Sequence, residues 1–98
     1  MINLTDLERK MQAIADWLSL TLKEICVRAD YEIQDGGKFV LFSACGTKNP
    51  VYDKALRNLI YAEMTRCFQG VDAKWMLVFL DEKKDVIDEI DSIIGVDF

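Results

Sequence analysis

ICVRADYEIQDGGKFVLFSAC, residues 25–45, decides the fold. In its first half Ile25, Val27, Ala29, Tyr31 and Ile33 alternate with Cys26, Arg28, Asp30, Glu32 and Gln34, the period-2 pattern of a strand with one dry and one wet face. Asp35-Gly36-Gly37 then supplies residues that tolerate positive φ, so the spacing predicts a hairpin. The second half, Lys38 to Cys45, is apolar without alternation, as in a strand covered on both faces.

Upstream, the period is helical. Thr5-Asp6-Leu7-Glu8 has the form of a capping box, and Leu7, Met11, Ile14, Leu18 and Leu22 follow at three- and four-residue steps. Ala13, Trp17 and Leu20 form a second apolar strip on the same helix, a face that asks for burial against a second copy of the chain. Trp17 and Leu20 are therefore the expected dimer contacts.

Downstream, Asn49 and Pro50 suit an N-cap and first helical residue, and the pattern predicts a helix to Gln69, stopped by Gly70. Trp75 to Leu80 reads as another strand buried on both sides. Asp81 is then expected to cap a final helix whose Val86, Ile87, Ile90, Ile93 and Ile94 make a narrow stripe ending at Gly95. The predicted fold is α+β in the order α-β-β-α-β-α, a three-stranded mixed sheet flanked by helices, in a single domain spanning residues 1–98.

Charge is the one asymmetry that speaks of a partner. Residues 1–80 balance their acids and bases, whereas residues 81–98 hold seven acids against Lys83 and Lys84 and account for the whole net charge of −5. An acidic face attracts basic surfaces and repels nucleic acid and anionic membrane. The expected partner is accordingly a basic protein met by Asp85, Asp88 and Glu89, with no direct nucleic-acid binding, since no basic patch interleaved with aromatics occurs.

Signs of catalysis are few. The chain has no His, which removes the commonest general base and the usual activator of Ser and Cys nucleophiles. Its three cysteines, Cys26, Cys45 and Cys67, lack CxxC spacing, so they read as reduced thiols of a cytoplasmic protein, with neither metal nor cofactor implied. The longest uncharged apolar run is Trp75 to Leu80, far short of the roughly twenty residues of a membrane span. The most site-like loop is 43–50, where Cys45, Thr47 and Lys48 precede a helix start in a position suited to an anion, although its spacing matches no phosphate-binding motif. On the following helix Asp53 and Arg57 are spaced to pair, and Glu63 lies within the apolar arc as a candidate acid. The function expected from all this is a small acidic cytosolic module of the inhibitor, immunity, chaperone or adaptor type, acting by surface recognition of a protein. The alternative is an anion or small-molecule binding protein or enzyme built on loop 43–50.

Overall fold

A computed structural model describes residues 4–47 and 53–92. The predicted amphipathic stripe forms helix α1, Leu4–Thr21, and buries Leu7, Met11, Ile14 and Leu18 at 7% exposure or less. Each such side chain contributes on the order of 1.5–3 kcal/mol on leaving water. Leu22 to Cys26 continue as turns on the helix end, with the Ile25 and Cys26 amides donating to the Leu22 carbonyl. Strand β1 therefore starts at Arg28 and runs to Gln34, three residues later than the alternation suggests.

The hairpin is present. Asp35, Gly36 and Gly37 all adopt positive φ between β1 and strand β2, Phe39–Cys45, which pair antiparallel from Arg28↔Cys45 to Gln34↔Phe39. Helix α2, Lys54–Cys67, crosses over to strand β3, Lys74–Leu80, which pairs parallel with β2. Asp53 is the N-cap of α2, its carboxylate accepting from the Leu56 amide. The cap expected at Asn49 and Pro50 lies outside the described residues.

The last element departs from the expected helix. In place of the expected final helix stands strand β4, Val86–Asp91, antiparallel to β3, so the order is α-β-β-α-β-β and the sheet has four strands in the order β1-β2-β3-β4. Three local causes are visible. The Asp81 carboxylate, expected to cap a helix, accepts from the Lys83 and Asp85 amides and closes a tight turn in which Lys84 has φ of 67°. The segment that follows is rich in β-branched residues, which suit a pleated surface better than a helix. A register shift between Phe79 and Leu80 sets Asp88 opposite Phe79 and Val86 opposite Leu80, and the extra Ile87 breaks the strict alternation that marks a strand. β4 also covers the edge of β3, whose apolar character would otherwise invite pairing with another chain.

Both helices pack on one face of this sheet. Val40, Phe42 and Ala44 of β2, Trp75, Leu77 and Phe79 of β3 and Ile90 of β4 are all 2% exposed or less, and with α1 and α2 they form the core. Phe42 and Phe68 meet edge to face at 6.2 Å, and Trp75 lies 5.9 Å from Tyr61. Arg57 of α2, itself buried, reaches across to β4: Nη1 donates to Asp88 Oδ2 at 2.5 Å and Nη2 to the Glu89 carbonyl at 2.9 Å. At the other margin, Ser19 of α1 binds Ala29 of β1, accepting from its amide at 2.9 Å and donating to its carbonyl at 3.3 Å. One polar clasp thus ties each helix to an edge strand.

Candidate functional site

With both helices on one side, the other side of the sheet carries no helix among the described residues. Successive side chains of a strand point to opposite faces, so the helix-free face takes Phe39, Leu41, Ser43 and Cys45 from β2 and Met76, Val78 and Leu80 from β3. All are half-buried except Val78, which its neighbours shield to 8% exposure. This explains the missing alternation in both central strands. Their second apolar face exists, as the sequence indicates, but no described helix covers it.

The pairing registers place these residues in rows across the sheet. Asp30, Ser43, Val78 and Glu89 make one row, and Glu32, Leu41 and Met76 make the next, ending in register on Asp91. The outer rows are Arg28, Cys45, Leu80 and Val86 at one end and Gln34, Phe39 and Lys74 at the other. In the middle rows an apolar strip two strands wide thus lies between acidic edge strands. Arg28 is an exposed partner of Asp30, at 3.1 Å. Neighbouring strands stand about 4.8 Å apart, which sets β1 and β4 about 14 Å from each other.

The residues singled out from sequence are dispersed. Asp85 is exposed in the β3–β4 turn and Glu89 is exposed at the margin of the helix-free face, but Asp88 points to the helix side and holds Arg57. Asp88 is therefore set apart from the other two acids. Arg57 takes Asp88 as its carboxylate in place of Asp53, which is engaged at the N-cap. Leu20 is 71% exposed, while Trp17 is half-buried and lines a groove with Lys10, Ile14, Met64 and Cys67, about 230 Å³ in volume. That is below the usual range of small-molecule sites, about 300–1,000 Å³.

Loop 43–50 is only partly described. Thr47 is buried, its hydroxyl donating to the Ala44 carbonyl at 3.4 Å and its amide to the Leu80 carbonyl at 2.8 Å, so its polar groups serve the turn. Cys45 sits at the end of the helix-free face, Gly46 takes φ of 83° with its Cα close against Val27, and Lys48 lies outside the described residues. At α2 the Asp53 carboxylate occupies the helix start, where an anion would be repelled by it.

Cys26, Cys67 and Glu63 are each held away from the ionisation state that catalysis would need. A hydrogen bond from Arg66 holds the Glu63 carboxyl below its ordinary value, the opposite of what a general acid needs. Burial raises the Cys26 thiol, helped by the nearby Cys45, and burial with a hydrogen bond to Glu63 raises Cys67. A raised thiol pKa means less thiolate, so Cys26 and Cys67 are expected to react with a thiol reagent at pH 8 more slowly than free cysteine. Mass spectrometry of the labelled protein checks this, and labelling at the free-cysteine rate would contradict it. Among the described residues no three His, Cys, Asp or Glu cluster to hold a metal, and no helix is long and apolar enough to cross a membrane.

What sequence reasoning missed is the helix-free face itself. Its signal was present in the unbroken apolar runs of residues 39–42 and 75–80, which were read as strands covered on both sides. No protein-family model, curated protein or solved structure matches this chain.

Proposed function

We propose that this chain is a small acidic, non-catalytic module of the cytoplasm that recognises a protein partner through the helix-free face of its sheet, in the manner of an inhibitor, immunity protein, chaperone or adaptor. The observation that carries the reading is the apolar strip of Leu41, Met76 and Val78, with no helix over it among the described residues and with Asp30 and Glu32 of β1 on one side and Glu89 of β4 on the other. A domain of this size has little apolar surface to spare, and a contiguous apolar patch rimmed by polar residues is how a protein interface is recognised. Catalysis has no comparable support, because Glu63, Cys26 and Cys67 are each shifted away from reactivity.

The test is affinity capture from native cells with three baits. Wild type and Leu20→Gln are expected to retain the same protein, and Leu41→Gln with Met76→Gln is expected to lose it while melting cooperatively. Retention by the double variant would refute the reading. Self-association through α1 belongs to the same proposal, since Leu20 stands 71% exposed. Sedimentation of wild type is expected to give twice the mass of one chain at micromolar concentration, with Leu20→Glu shifting it to one chain. A mass near 11.3 kDa at all concentrations would remove that part.

A further inference from the structure

Resting on that reading, we infer that the segment seated on the helix-free face is a basic amphipathic helix of the partner, its apolar side on β2 and β3 and its Lys or Arg flanks over β1 and β4. Charge complementarity favours a basic occupant. Asp30 and Glu32 border the strip on β1, and Glu89 borders it on β4 directly across the row from Asp30. Lys74 and Arg28 fall in the outer rows, and although Arg28 reaches Asp30 at 3.1 Å, Glu32 on β1 and Glu89 on β4 still set an acid on each side of the middle of the face. Opposed charges flanking a desolvated centre fix register and speed association.

The dimensions of the face suit a helix. A helix with its side chains is about 10–12 Å across, and the edge strands are about 14 Å apart, so a helix laid along the strands covers the strip and brings its flanks over both acidic margins. The central strands are seven residues long each. At about 3.3 Å per residue they offer roughly 23 Å, the length of about fifteen helical residues.

A second copy of the chain fits this face poorly. A two-fold axis in the interface, parallel to the strands, lays β1 of one sheet over β4 of the other, with Asp30 above Glu89. A two-fold across the strands lays β1 over β1. Both arrangements oppose acid to acid, and like charges held together across an interface cost affinity.

The probe is a synthetic fifteen-residue peptide of Leu and Lys with Leu at helical i, i+3, i+4, i+7 spacing, compared with a counterpart carrying Glu for Lys and with a scrambled Leu–Lys control. Binding is measured by calorimetry at about 0.15 M salt, where surface charges more than about 8 Å apart are largely screened. The Lys peptide is expected to bind at least tenfold tighter than either control. The variant Asp30→Lys, Glu32→Lys, Glu89→Lys is expected to reverse the preference toward the Glu peptide by at least tenfold, and its cooperative melting confirms that it folds. Leu41→Gln with Met76→Gln is expected to lose both.

Each other result overturns something definite. If the Lys and Glu peptides bind alike and both perturb the methyl resonances of Leu41 and Met76, the basic helix is wrong although the docking face stands. If the peptides bind with Leu41 and Met76 unperturbed, the docking face itself is wrong. If wild type sediments as a dimer that Leu41→Gln with Met76→Gln dissolves, the occupant is a second copy. If Ile94→Asp with Phe98→Asp in the full chain tightens peptide binding tenfold, the occupant is the chain's own last segment. Either of these last two results replaces the partner helix.

Discussion

Asp88→Ala is expected to destabilise the protein by about 3–5 kcal/mol, while Asp85→Ala and Glu89→Gln change its stability by no more than about 0.5 kcal/mol. The difference follows from position. Arg57 has a side chain only 6% exposed, and Asp88, at 17%, is a carboxylate paired with it. Removing Asp88 takes a carboxylate partner from a guanidinium buried between α2 and β4, and breaking a buried ion pair costs far more than losing an exposed charge. Asp85 and Glu89 are exposed, where loss of a charge is screened by water. Because the cost is that of a broken ion pair, Arg57→Met together with Asp88→Leu is expected to recover most of the loss. Urea titration of the variants measures all of this. An Asp88→Ala loss below about 1 kcal/mol would mean that the ion pair does not fasten α2 to the sheet.

The second large effect compares two neighbours on one strand. Phe42→Ala is expected to cost about 3–5 kcal/mol, because Phe42 is fully buried against Phe68 and a rigid core cannot close the hole. Leu41→Ala is expected to cost about 1 kcal/mol, since Leu41 is half-buried on the helix-free face and water fills the vacated space. Full burial of both faces would make the two losses similar. Equal losses, read from the same urea titrations, would thus show that some part of the chain covers Leu41 and that the strip is core.

The fold was legible wherever one period dominated over several turns or residues. α1 kept its stripe from Leu7 to Leu18, and the Asp35-Gly36-Gly37 turn set the hairpin. The final element was not legible, because Val86, Ile87 and Ile90 satisfy a helical stripe and also a strand carrying one bulge. That single ambiguity had a functional consequence. On a helix Asp85, Asp88 and Glu89 would share one side, but on a strand Asp88 and Glu89 point to opposite faces, so the three expected docking acids divide into a structural one, Asp88, and two exposed ones, Asp85 and Glu89. Loop 43–50 holds a different ambiguity. Thr47 is a residue type that binds anions and equally a type that closes turns, and only its burial and its bonds to Ala44 and Leu80 distinguish the two. The helix-free face was legible as two-sided hydrophobicity, yet sequence alone does not count how many helices are available to cover a sheet. Among the described residues two helices lie on one face of a four-stranded sheet and none lies on the other.

Methyl spectra of the labelled protein, free and saturated with the partner obtained by affinity capture, test this most directly. The account predicts that the Leu41, Met76, Val78 and Leu80 methyls shift or broaden together, while Ile14 and Met64, in the groove between α1 and α2, and Leu59 on the exposed side of α2 stay in place. Perturbation confined to Ile14, Met64 or Leu59, with the four sheet residues unmoved, would contradict it and transfer the binding site to the helices.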